Sequence, residues 1–238
     1  EELKARAQAL GAELPFAADT RVLAEPVSFG PVTVPNRLGI APMEAALSQG
    51  AGAPSEYTLR RYVQEAEGGS AVIWFEAISI VPEGRSGKTQ LYLCRENLAA
   101  YQAFTAAIKE AGLRANGYAP YLVMQANHSG RYSNPDNRPA PLIAYRNPYY
   151  EQFRAADDSC IVSDDYLKAL EEKFGQAAAL AKAAGFDAVD IKSCHGYLLA
   201  ELTSAYTRPG AYGGSFENRT RLLGNAIPGG KVQEDSGF

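Results

Sequence analysis

The stretch Gly185-Phe-Asp-Ala-Val-Asp-Ile-Lys-Ser-Cys-His-Gly-Tyr197 reads as a helix stop, a short strand and a polar loop. Phe186 to Ile191 alternates apolar and acidic residues and carries β-branched Val189 and Ile191, the composition of a strand. Beyond it, Lys192, His195 and Tyr197 place a cation, an imidazole and a phenol within six positions. All three side chains can donate hydrogen bonds to a developing anion, which makes them the candidate catalytic residues. The competing reading makes His195 and Tyr197 ordinary loop residues.

Working outward, Ser163 is placed to cap a helix that presents Leu167, Leu170, Phe174, Ala177, Ala178 and Ala181 on one face, with Asp164 and Asp165 in its first turn and Gly185 beyond its end. Upstream the same alternation repeats. Arg37 to Pro42 reads as a strand ended by Pro42, and Ser55 to Ala66 as a helix stopped at Gly68-Gly69. Ala71 to Phe75 is an apolar run of strand length, Asn97 to Ala111 a helix closed by Gly112, and Tyr118 to Gln125 a third strand. Val27 to Val34 carries a hairpin signal around Gly30-Pro31, suited to plugging one end of a barrel, and Glu1 to Leu10 reads as a short leading helix. Small Gly39 and Ala41 suit either the close approach of something flat or tight strand–helix packing.

Four strands alternating with helices predict an α/β fold with a parallel sheet. Two architectures satisfy that pattern, a doubly wound open sheet and a (β/α)8 barrel. No GxGxxG or GxxxxGK[ST] follows the first strand, so the phosphate-cradling loop of the open-sheet nucleotide folds is missing. Polar and aromatic residues gather instead just after the third and fourth strands, where barrel enzymes carry their chemistry. The barrel is the favoured reading.

Composition narrows the function classes. The 238 residues are 46% hydrophobic and 21% charged, enough to bury a sizeable core. A net charge of −4 gives no electrostatic footprint for nucleic acid. No apolar run approaches the roughly 18 residues of a spanning helix, and the start at Glu1 lacks a signal-peptide pattern, so the expectation is a cytoplasmic protein without a membrane partner. Cys94, Cys160 and Cys194 are widely spaced without a CxxC pair, which indicates neither a disulfide framework nor a metal site. A metal-dependent barrel enzyme is the least favoured alternative, with two histidines and no clustered carboxylates.

Four segments in order resemble the Old Yellow Enzyme family of flavin-dependent ene-reductases and NADH:flavin oxidoreductases. They are Asn36-Arg-Leu-Gly-Ile-Ala-Pro-Met43, Gln125-Ala-Asn-His-Ser-Gly-Arg131, His195-Gly-Tyr-Leu-Leu199 and Tyr212-Gly-Gly-Ser-Phe-Glu-Asn-Arg-Thr-Arg-Leu-Leu223. The resemblance implies FMN as cofactor and NAD(P)H as reductant, with a small-molecule substrate, an enone or related activated alkene, receiving hydride from the reduced flavin. It implies that Gln125 hydrogen-bonds the pyrimidine edge of FMN and that Ala41, Pro42, Met43 and Glu44 lie against the flavin. His195 and Lys192 would hold the substrate's carbonyl oxygen and Tyr197 would deliver a proton to the α-carbon. His128, Arg131 and the Glu217-Asn-Arg219 run are expected to be structural.

Two positions depart from the family pattern. Lys192 stands where many members have the first imidazole of an H-x-x-H or H-x-x-N pair, and lysine is a flexible point charge without that directionality. Glu44 stands where Thr or Cys is frequent, and its carboxylate would disfavour an anionic reduced flavin unless it turns into solvent or pairs with a neighbour such as Lys192. The expected organisation is an N-terminal extension over 1–24, a partial FMN-binding barrel of about four β/α units over 25–223, and an irregular tail over 224–238. A barrel of this kind needs about 250 residues, so the first four units alone should self-associate through unpaired sheet edges or expose an apolar patch. The alternative function is an inactive half-barrel or scaffold that does not retain flavin.

Overall fold

The computed structural model describes residues 2–15, 17 and 19–227, so most of the tail expected over 224–238 lies outside the described residues. The chain opens with helix α1 (Glu2–Ala9) and a hairpin of β1 (Val27–Phe29) and β2 (Val32–Val34). The hairpin pairs Val27 with Val34 around Gly30, whose φ of 56° is the left-handed turn that glycine permits. Then follow β3 (Gly39–Ile40), α2 (Glu56–Glu67), β4 (Val72–Ser79), α3 (Leu98–Asn116), β5 (Tyr121–Asn127), the single turn α4 (Pro148–Glu151), α5 (Asp164–Ala183), β6 (Ala188–Ile191), α6 (Leu198–Thr203) and α7 (Phe216–Arg219). Residues 221–227 are helical as well. Strands β3, β4, β5 and β6 form one parallel sheet in sequence order.

The expected caps form. Ser55 Oγ accepts from the Thr58 N–H at 3.3 Å and Ser163 Oγ from the Tyr166 N–H at 3.1 Å, so α2 and α5 begin where the sequence predicts. Helices α2, α3 and α5 cover one face of the sheet. Phe75 sits at the centre of that core, stacked on Tyr62 with ring centroids 4.2 Å apart and edge-on to Phe104 and Phe186 at 5.7 and 5.0 Å. On the opposite face, rows of side chains run across the strands: Trp74, Val123 and Ala188 in one register, Ala77, Gln125 and Asp190 in the next. Phe29 of the hairpin packs edge-on to Tyr121, at the N-terminal end of β5.

Several boundaries differ from the sequence reading, β6 beginning at Ala188 and residues 224–227 being helical where the sequence predicts an irregular tail, and four others differ for a local reason. The first strand pairs only over Gly39–Ile40 and not over Arg37 to Pro42, because Pro42 lacks an N–H and the chain then turns to aim the Ala45 and Ala46 N–H groups at Glu76. Strand β4 continues past Phe75 to Ser79 through a register shift between Trp74 and Ala77, since the acid that interrupts its apolar run, Glu76, is buried and fully bonded. Strand β5 starts at Tyr121, after Pro120, and ends at Asn127. Helix α3 runs through Gly112, which is needed for packing and not as a stop: a Cβ there would lie 2.6 Å from Pro120 Cδ. The helix ends at Gly117, at φ 79°.

The turn after β5 carries a buried relay. The Gly130 N–H donates to His128 Nδ1 at 3.0 Å, which leaves the ring proton on Nε2, 2.8 Å from the Tyr166 hydroxyl. That hydroxyl in turn donates to Glu83 Oε1 at 3.1 Å. Burial holds the imidazole down at about 4, against an ordinary 6.5. The unfolded chain therefore takes up a proton below pH 6.5 that the folded chain refuses until about pH 4. Stability contributed by neutral His128 is full above that window and falls as pH drops through it, by roughly 3 kcal/mol at its lower end. Urea unfolding across the window should show this loss, and His128→Asn should flatten it.

Gly130 itself has φ 58°, and a Cβ there would lie 2.5 Å from the Leu198 nitrogen, whereas nothing approaches within 4 Å at Gly117. Left-handed backbone alone costs an alanine roughly 1–2 kcal/mol. Gly117→Ala should lose about that much and Gly130→Ala clearly more, read as urea midpoints of the two variants.

Candidate active site

Gln125 and Lys192 stand at the C-terminal ends of neighbouring strands. Gln125 pairs in register with Asp190, and the Lys192 N–H extends the β5–β6 ladder by donating to the Ala126 carbonyl at 3.0 Å. The loop that follows turns sharply because His195 and Gly196 are both left-handed, with φ 60° and 65°. Gly196 is required twice over, by its backbone and because a Cβ would lie 2.9 Å from the Tyr150 ring. The turn closes with the Tyr197 N–H on the Cys194 carbonyl at 3.2 Å and leads directly into α6.

Tyr197 is the common neighbour of the cluster. Lys192 Nζ lies 4.7 Å from the centroid of its ring, a cation–π distance, and the His195 ring lies 6.2 Å away. Tyr132 flanks it from the β5 loop at 5.5 Å. Burial, reinforced by the negative charge of Glu44, pushes the Tyr197 phenol up to about 12, so it stays protonated at neutral pH. Lys192 is 7% exposed, and burial lowers its pKa against the opposing pull of Cys194, Glu44 and Asp190. No carboxylate or carbonyl among the described residues takes a hydrogen bond from its ammonium. His195, by contrast, is exposed.

Glu44 does not pair with Lys192. Its Oε1 accepts from the Ser86 hydroxyl at 2.5 Å, and burial raises its pKa while Ser86 and Lys192 oppose that rise. Ala41, Pro42 and Met43 are exposed beyond the C-terminal end of β3, and Arg61 of α2 donates to the Met43 carbonyl at 2.8 Å. Lys192, His195 and Tyr197 thus form one group around the phenol ring, Gln125 belongs to the adjoining sheet row, and Glu44 reaches the group through charge. Ala41 to Met43 line the same end of the sheet without a hydrogen bond to that group among the described residues.

Residues that the sequence reading passed over hold these positions. Asp190 Oδ2 accepts from Gln125 Nε2 at 2.9 Å and from Trp74 Nε1 at 3.2 Å, a bridge across three strands. Strand parity was the available signal, since it places Asp190 on the face away from the helices. Glu76 accepts from the Ala45 and Ala46 N–H groups at 3.0 and 3.2 Å and thereby fixes the segment that carries Glu44. An acid inside an apolar strand is itself a signal that a specific partner set exists.

Known proteins resemble this chain in sequence and fold. The NADPH dehydrogenase of Halalkalibacterium halodurans is 31% identical over 199 residues, covering 82% of this chain and 55% of that protein. The NADH oxidase of Thermoanaerobacter brockii is 28% identical over 196 residues, 81% of this chain and 29% of its own. Among solved structures, the old yellow enzyme homologue from Zymomonas mobilis matches with a TM-score of 0.74 at 26% identity, over 89% of this chain and 60% of that one. Morphinone reductase in complex with tetrahydroNAD matches in fold with a TM-score of 0.74 at 22% identity, over 90% of this chain and 61% of its own. The chain spans about half the length of the H. halodurans relative. With a family model matching residues 22–228, the chain belongs to the NADH:flavin oxidoreductase / NADH oxidase family.

Proposed function

We propose that the described residues are the first four β/α units of a (β/α)8 barrel in an FMN-dependent oxidoreductase that draws hydride from NAD(P)H and reduces a carbonyl-conjugated alkene. The observation that carries this reading is the convergence of Gln125, Lys192, His195 and Tyr197 at the C-terminal end of a parallel sheet, with a buried lysine from which no carboxylate among the described residues takes a hydrogen bond. The residues fit the cofactor that the family implies. Gln125 Oε1 receives no hydrogen bond among the described residues and is free to accept from an imide N–H, while exposed Ala41 to Met43 offer a small, open wall. The helix-free face leaves Trp74 37% exposed and Met43 69% exposed, and edge strands β3 and β6 are open to further strands.

FMN, when bound, supplies the hydride chemistry. The chain's own residues supply the rest. His195 and Lys192 donate to the carbonyl oxygen of the substrate, where negative charge grows as the double bond is reduced. Tyr197 holds a proton for the α-carbon, and a phenol at about 12 surrenders it only to a strongly basic centre, which protects the proton until the carbon has become one. Tyr132 packs against the Tyr197 ring and Tyr150 against Gly196, which would fix the loop that carries the phenol.

Trp74, the sole tryptophan, reports on the site directly. Adding FMN to the purified chain should quench its fluorescence and retain yellow absorbance at about 450 nm through gel filtration; unquenched fluorescence and a colourless protein would leave the scaffold reading. In the flavin-loaded protein, Tyr197→Phe should leave reduction by nicotinamide unchanged and slow alkene reduction by roughly 10²–10⁴-fold. His195→Ala should weaken substrate binding as well. Rapid mixing of the two half-reactions separates these outcomes.

A further inference from the structure

We propose that Asp190 is a positioning residue that locks the Gln125 amide in one orientation and thereby makes the site selective for a ligand edge that presents an N–H donor. The inference rests on the FMN reading above. A glutamine amide has two ends of opposite character, and electron count and shape hardly distinguish them. A free Gln125 could present either the NH2 group or the carbonyl oxygen to a ligand. Here the choice is made by chemistry: the Asp190 carboxylate accepts and cannot donate, so the end of the amide 2.9 Å from Oδ2 is Nε2. The opposite end, Oε1, is left facing away from Asp190 as an acceptor.

The carboxylate is itself held from a second side. The Trp74 indole N–H reaches the same Oδ2 at 3.2 Å from β4, so the oxygen is fixed between donors on two strands while its own residue sits on a third. Asp190 and Gln125 are direct register partners in the β5–β6 ladder, which fixes their backbone separation. Gln125 is 6% exposed, so little water is available to compensate a flipped amide. The acid alternates onto the face away from the helix core, so packing against the helices does not require it. The arrangement spends two hydrogen bonds on orienting one acceptor.

The test measures affinity for two flavins, FMN and FMN methylated at N3, which lacks the imide N–H. The probe is Trp74 fluorescence in the parent, Asp190→Ala and the isosteric Asp190→Asn, whose amide lets Gln125 present either end. The parent should prefer FMN over the N3-methyl analogue by at least tenfold. Both variants should lose FMN affinity by roughly three- to tenfold, the worth of one hydrogen bond, and should lose most of the preference; a purely structural defect would weaken both flavins alike. In a Gln125→Leu background, Asp190→Ala should cause little further loss, because the effect passes through the amide. If Asp190→Ala does not fold, Asp190→Asn carries the test by itself. An unchanged preference in the variants, or full additivity with Gln125→Leu, overturns the inference while leaving the FMN reading intact. No FMN binding by the parent overturns both.

Discussion

One buried ion pair ties the turn after β5 to the helix that follows β6. The Arg131 guanidinium, wholly buried, donates through Nε and a terminal nitrogen to Glu201 Oε1 at 2.9 and 2.5 Å, to Glu151 at 2.7 Å, and to the Arg154 and Tyr145 carbonyls at 2.9 and 3.1 Å. All five of its N–H donors are used. Burial works against its charge, but the two carboxylates outweigh that and keep its pKa above the ordinary value. Burial also pushes Glu201 up, against the Ala144 N–H and Arg131; with both of its oxygens bonded to donors, the ionised pair is the state that satisfies every group. Such a pair adds little net stability, yet removing one partner would strand the other at roughly 3–5 kcal/mol. Its product is geometry. Arg131 belongs to the turn after β5 and Glu201 to the helix that Tyr197 begins, so Gln125 and Tyr197 keep one relative position.

A second buried acid does the same for the first strand. Glu76 takes the Tyr62 hydroxyl at 3.3 Å and the Ala45 and Ala46 N–H groups, so the segment leaving β3 is pinned to the interior of β4. Both anchors use a carboxylate inside the core to fix a loop that has no ladder of its own, since loop backbone groups must find partners somewhere. The candidate site residues are then carried on short tethers: Glu44 one residue before the anchored pair, Lys192 one residue beyond β6.

This division explains what was legible in the sequence. Periodicity gave the four strands, their order and the covering helices, because burying one helix face against one sheet face is a pattern of composition. The candidate site segments were legible as motifs, and the structure supplies a reason for their glycines: Gly130 and Gly196 sit where a Cβ would strike Leu198 and Tyr150. Illegible were contacts between residues far apart in the chain. Nothing in the order of residues pairs Glu76 with Ala45, Glu44 with Ser86, or Trp74 with Asp190. Gly112 misled for the same reason, since its role lies against Pro120 and not at the helix end.

The Glu44–Ser86 bond bears on how Lys192 would serve in the proposed site. A carboxylate and an ammonium at one sheet end would ordinarily pair, and a paired Lys192 would offer a ligand little charge. Ser86 gives Glu44 a neutral donor instead, so the acid is satisfied without consuming the cation. Lys192 then leans on the face of Tyr197, a contact that holds the ammonium by the ring's quadrupole and leaves its N–H donors unspent. Glu44 still acts at a distance: its charge favours the protonated lysine against burial and raises the phenol that the lysine covers. Glu44, kept out of the ion pair, therefore adds to the burial that keeps the Tyr197 phenol undissociated, and with Cys194 and Asp190 it opposes the burial that works against the charge of Lys192.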